Sequence, residues 1–172
     1  MELNDLKERV EVSEYIKLQN LVSLYAKARD TTDISIYKKV FIDDARIEMA
    51  NGLVLSNGLN AILKKVSSDL ERFNKDHNLE NPYSCLRHSI SNMHITIDGT
   101  SATCEYYVMT IAYNTEKNRP EILSFARNTD TCIKENGKWL IAISKMAYDW
   151  GNEDMAKLLQ IGPYTPEAYK HS

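Results

Sequence analysis

A histidine and a carboxylate can share one proton-transfer task. A neutral imidazole takes up a proton near pH 7, and a carboxylate bonded to its other ring nitrogen fixes the tautomer and stabilises the imidazolium that forms. His88 and Asp30 can supply such a pair. The competing reading is that His88 ends a strand with an ordinary hydrogen bond, while Asp30 caps a helix or faces water. Tyr25 lies one turn after Leu21 and near Ala28, which turns its ring inward and leaves its hydroxyl in need of a partner. That partner is either a substrate carbonyl or leaving group, or the backbone of the core.

The other candidate groups point elsewhere. His94 follows an expected bulge, and His77 and His171 fall in a loop and the tail, so all three read as surface or structural residues. No pair of histidines joins a carboxylate at zinc-site spacing, and no metal is expected. Arg127, Asp130 and Lys145 sit on strands where a charge can face the pocket, but charges there more often face solvent, and none is taken as catalytic. The glycine-rich phosphate loops and the hydrolase elbow are absent from the sequence. Cofactor-free chemistry follows: a base in an apolar cavity suits proton abstraction next to a carbonyl or ring, then elimination or isomerisation.

Elements with distinct periodicities must position these groups. Val12–Arg29 carries apolar residues at helical spacing, through Ile16, Val22, Tyr25 and Ala28. Thr31, Thr32 and Asp33 can each cap a second, short helix whose apolar face is Ile34, Tyr37, Val40 and Phe41, the two helices meeting at Asp30. Ala45–Met49 and Leu53–Leu55 flank Asn51-Gly52 as a hairpin, and Ala61–Phe73 is helical again. Asn74–Ser84 reads as a loop near the pocket mouth. The period then changes to two, giving four long strands at Leu86–Ile97, Ala102–Tyr113, Ile122–Lys134 and Trp139–Tyr148. In the first of them the apolar phase slips after Ile90, which predicts a β-bulge near Ser91-Asn92. A last short helix is expected over Asn152–Leu159, followed by a tail. Helices first and then a long antiparallel meander make an α+β domain, with helices packed in a strongly curved sheet that encloses a cone.

The 172 residues suit a single domain over 1–172, with its core at about 8–151. The net charge of −3, with Lys and Arg dispersed, argues against a nucleic-acid partner. The N-terminus is too charged for a signal peptide and no apolar run can span a bilayer, so a cytoplasmic protein without a membrane partner is expected. Cys85, Cys104 and Cys132 are odd in number and lack metal or redox spacing, and they read as buried free thiols.

Three stretches resemble the SnoaL-like family of the NTF2-like superfamily. They are Leu21-Val-Ser-Leu-Tyr25-Ala-Lys-Ala-Arg-Asp30-x-x-Asp33 with Tyr37 and Phe41, then Arg87-His88-x-x-x-Asn92-x-x-Ile95-x-Ile97-Asp98-Gly99. The third is Gly137-Lys-Trp139-Leu-Ile141-Ala-Ile-Ser-Lys145-x-x-x-Asp149-Trp150. The family includes polyketide cyclases, a dehydrochlorinase, scytalone dehydratase and a bile-acid dehydratase, and related chains are small subunits of ring-hydroxylating dioxygenases. The resemblance implies an NTF2-like cone and, as in the family's dehydratases and dehydrochlorinase, an Asp-His dyad near an aromatic or polar first-helix residue, positions that Asp30, His88 and Tyr25 occupy. The chain departs from the family at Ser144, where arginine is common. A cofactor-independent lyase or isomerase acting on a small hydrophobic cyclic molecule is therefore expected, with His88 as base, Asp30 as its orienting partner and Tyr25 as hydrogen-bond donor. The alternative is a binding module or assembly subunit like the dioxygenase small subunit. Both parities of the long strands are apolar, and with the resemblance this leads to a homo-oligomer, a dimer in preference to a trimer.

Overall fold

The first helix, α1, runs over Leu3–Thr31 and so extends past both ends of the expected Val12–Arg29. It stops where Thr32 adopts the left-handed conformation, φ 50, so the two helices join at Thr32 and not at Asp30. Of the three possible caps Asp33 is the one used: its side chain accepts the Ser35 backbone N–H at 2.8 Å and opens α2, Ile34–Val40. Phe41 leaves the helix and begins β1, although its ring still stacks on Tyr37 and meets Tyr25 edge-on. The structure is a computed structural model that describes residues 3–74 and 83–152.

The hairpin forms as β1, Phe41–Met49, and β2, Val54–Asn57, with Leu53 in the turn; α3 follows over Leu59–Asn74. Four long strands complete the described chain: β3, Tyr83–Asp98; β4, Ser101–Asn114; β5, Arg119–Glu135; and β6, Lys138–Gly151. The expected loop at Asn74–Ser84 is thus partly strand, since Tyr83 and Ser84 pair with Asn114 and Tyr113, and its remainder lies outside the described residues. So do residues 153–172, where the last helix and tail were expected. At the β5–β6 turn both Asn136 and Gly137 have positive φ, 49° and 78°, the two-residue geometry that follows the twist of the strands.

The strands form one curved sheet in the order β2-β1-β6-β5-β4-β3, open between its edge strands β2 and β3. β1 runs parallel to β6, and every other neighbouring pair is antiparallel. This is the expected α+β, NTF2-like arrangement. The predicted bulge is present: pairing of β3 with β4 shifts between Ser91 and His94, with Asn92 at φ 50. A second shift between Ser84 and Arg87, with Cys85 at φ 53, has no counterpart in the sequence reading. The two irregularities bracket His88 and bend its strand. Cys85 is exposed there, so only Cys104 and Cys132 fit the expectation of buried thiols.

The concave face takes up α1. Leu18, Val22 and Ala28 are fully buried against the even-numbered side chains of β4 and β5, such as Cys104, Val108 and Cys132. Glu14 fastens the first half of α1 to the far end of the sheet, accepting Trp139 Nε1–H at 2.6 Å and pairing with Lys134 at 2.7 Å. Lys134, Lys17 and the Trp139 N–H together hold the Glu14 carboxyl at about 2, against a smaller opposing effect of burial. Removing Leu18 would leave a void at the centre of this layer. Leu18→Ala is expected to lower stability by about 3 kcal/mol in urea unfolding, whereas Ile16→Ala, on the exposed side of the same helix, should change it by less than about 0.5 kcal/mol.

Candidate functional site

Edge strand β3 has a neighbour on one side only, and α1 lies along the other. There Asp30 Oδ1 accepts two hydrogen bonds from one residue: the His88 backbone N–H at 2.9 Å and the His88 ring Nδ1–H at 2.7 Å. An ionised carboxylate can only accept, so the contact puts the ring proton on Nδ1 and leaves Nε2 as a free base. The imidazole is almost sealed, with 4% of its side chain exposed, while 16% of Asp30 reaches an open depression lined by Ser23, Lys27, Thr31 and Arg87. The ring is shielded, and its partner touches solvent.

Burial lowers the His88 pKa to about 4, reinforced by the charge of Arg29 and opposed by Asp30. The ring is neutral at pH 7. Tyr25 lies four residues before Arg29 on the same helix face, 3% exposed, edge-on to Phe41 and Tyr37 and with the Arg29 guanidinium 5.8 Å above its ring. Burial raises its phenol, and its hydroxyl side faces Ser144 and Asp130. The structure therefore brings His88 and Asp30 into contact and directs Tyr25 toward the β5–β6 wall.

Two residues here, Arg29 and Asn128, were not singled out from the sequence, and a third, Asp130, was not taken as catalytic. Arg29, half-buried, lies among the tyrosines Tyr25, Tyr148, Tyr37 and Tyr106; burial works against its charge, but ionised phenols around it would raise its pKa at high pH, so the guanidinium stays protonated. Asp130, read as a sheet-face charge facing solvent, is fully buried on the concave face, and its Oδ2 accepts the Tyr106 hydroxyl at 2.7 Å. Burial raises its carboxyl to about 6, against the lowering effects of Tyr106, Ser144 and Arg29. Asn128, one inward position along β5, is also buried and donates to the Tyr106 oxygen at 3.5 Å. The signal available for Asp130 was its even position in the Ala126-Asn128-Asp130-Cys132 row. Arg127 and Lys145, at odd positions, lie on the outer face and pair with Asp149 and Glu48. Among the described residues, no group of three histidine, cysteine or carboxylate side chains is placed to hold a metal. Nor is any helix among them long and apolar enough to cross a membrane.

The family and structural comparisons agree on the fold. A model of the SnoaL-like domain matches residues 10–145. No curated protein sequence matches the chain. A Mycobacterium tuberculosis protein of unknown function superposes with a TM-score of 0.73 at 20% identity, covering 88% of each chain. From Novosphingobium aromaticivorans, an NTF2-like protein with a cystatin-like fold gives 0.69 at 17% identity, over 93% of this chain and 98% of its own. A candidate scytalone dehydratase from the same organism gives 0.66 at 17%, over 85% and 91%.

The two shifted groups leave opposite marks on acid stability. The His88 pKa is lower folded than its ordinary 6.5, so the unfolded chain binds that proton first and stability falls as pH drops from about 6.5 to 4. The Asp130 pKa is higher folded than its ordinary 3.8, so stability rises as pH drops from about 6 to 3.8. In wild type the two effects oppose each other across that window. Asp130→Asn should therefore show the steeper loss between pH 6.5 and 4, by up to about 3 kcal/mol, and His88→Gln the shallower one. Urea midpoints measured at half-unit pH steps check this.

Proposed function

We propose that this chain, a member of the SnoaL-like family, is a cofactor-independent lyase or isomerase acting on a small hydrophobic cyclic molecule, with His88 as base and Asp30 as its orienting partner. The observation that carries the reading is the 2.7 Å contact between Asp30 Oδ1 and His88 Nδ1 at an imidazole that burial keeps neutral. His88 Nε2 takes the proton from a carbon beside a carbonyl, and the C–H electron pair moves into the carbonyl as an enolate. The enolate then expels a group from the next carbon, which is elimination, or regains the proton at another carbon, which is isomerisation. Asp30 holds the tautomer and stabilises the imidazolium. Tyr25, with its phenol proton firmly held, donates a hydrogen bond to the substrate.

NMR of cyclic ketones incubated with the protein in D2O tests the reaction class through C–H exchange or elimination. Wild type should accelerate one or both. His88→Gln should lose at least about a hundredfold and Asp30→Asn a comparable factor, with Tyr25→Phe losing about tenfold. Full activity in His88→Gln, or no exchange with any ketone, would overturn the assignment.

A homodimer formed through the convex face completes the proposal. Tyr107, Ile122, Phe125 and Trp150 are all more than 40% exposed there, and the Phe125 and Trp150 rings lie 5.7 Å apart on paired strands. Packing against a second copy would cover these side chains. Light scattering should give about twice the chain mass of 19.7 kDa, and Trp150→Glu should halve it; a wild-type monomer at micromolar concentration removes this part of the proposal.

A further inference from the structure

On the outer side of the Asp30–His88 contact, α1 and the edge strand β3 enclose an open depression of about 420 Å3, room enough for a small organic ligand. Lys27 from the helix and Arg87 from the strand stand in its wall, and among the described residues neither has a carboxylate within ion-pair distance. Arg87 donates only to the carbonyl of its neighbour Leu86, at 2.6 Å. The single acid in the wall is Asp30, whose Oδ1 is already committed to two bonds from His88. Two cations against one carboxylate leave the depression with one net positive charge. Between them the surface is apolar, from Ala26 and Ile90.

The apolar character continues along the helix. Positions four and seven apart share one face, so the stripe that carries Lys27 and Ser23 runs back to Ile16 and Val12, which are 50% and 57% exposed. Every other exposed position of α1 among those whose burial is described is polar, which sets these two apart. Ile16 lies about 10 Å before Ser23 along the helix axis, at 1.5 Å per residue. Charge at one end and exposed aliphatic surface at the other define the chemistry of an amphiphile.

We propose that the groove between α1 and β3 binds a monocarboxylate with an apolar chain, the carboxylate held between Lys27 and Arg87 and the chain lying back along Ile16 and Val12. The guanidinium fork suits a planar carboxylate, and Lys27 adds a second donor. A single negative charge balances the one net positive charge, whereas an uncharged amphiphile would leave both cations unanswered. The site lies outside the concave face and does not depend on His88 acting as a base. Its occupant covers the part of Asp30 that meets solvent, so the His88 ring registers binding through its partner.

Octanoate, octanol and acetate separate the requirements for charge and chain in calorimetric titrations of the whole chain at pH 7. Octanoate is expected to bind about tenfold more tightly than octanol and about a hundredfold more tightly than acetate. The double variant Lys27→Gln/Arg87→Gln should bind octanoate no better than octanol, and Ile16→Ser should weaken octanoate about fivefold while leaving acetate unchanged. All three positions are exposed, so the variants keep the fold. In NMR spectra octanoate should move the Ser23, Lys27 and Arg87 amide signals together with the His88 ring signals. Equal binding of octanol, undiminished binding by the double variant, or binding only to vesicles of anionic phospholipid would overturn the site. None of these measurements uses C–H exchange, so a failure of the base assignment leaves the groove standing, and the reverse.

Discussion

One oxygen atom fixes the geometry on which the site depends. β3 is an edge strand, and an edge strand presents backbone N–H groups that must find partners. At His88 that partner is Asp30 Oδ1, which also takes the ring N–H of the same residue. Backbone and side chain are thereby locked to one acceptor, and the imidazole cannot rotate without giving up a strong, charge-assisted bond. For this to happen α1 must continue as a helix to Thr31, and another residue must cap α2. Asp33 does so, which frees the Asp30 carboxylate for the strand.

The next residue back in the helix faces another way. Successive helical positions are turned by about 100°, so Asp30 meets β3 while Arg29 lies over the Tyr25 ring one turn earlier. The cone thus holds a cation in addition to the histidine pair, and that cation depresses the imidazole that Asp30 would otherwise strengthen. Asp130, deep on the concave face, feels the same cation, yet burial raises its pKa. The interior thus holds a guanidinium and a carboxyl that feel one another: the charge of Arg29 acts on Asp130, whose Oδ2 accepts the Tyr106 hydroxyl.

The same sheet sorts its residues by parity. Along β5 the inward row from Ala126 to Cys132 is small or polar and the outward row runs Phe125, Arg127, Thr129, Thr131, so Asp130 is sealed while Arg127 pairs in the open with Asp149. The bulge at Asn92 resets the phase in β3, keeping Ile90 and Met93, three residues apart, against the core.

Much of this was legible in the chain. The change from helical to alternating period, the Asn136-Gly137 turn and the phase slip at Ser91-Asn92 are local properties, and local sterics and burial suffice to read them. The resemblance to the SnoaL-like family likewise marked His88, Asp30 and Tyr25 as able to do chemistry together. What the sequence could not decide was distance. His88 and Asp30 are 58 positions apart, and only the packing of α1 along the open edge of β3 brings them to 2.7 Å. The left-handed Thr32 and Cys85 carry no glycine signal, so neither the helix junction nor the second bulge could be foreseen. Asp130 was misjudged because a charge on a strand usually faces water. Its facing is set by register, and its burial by the helix that covers that face, a long-range consequence of the fold that no residue encodes alone.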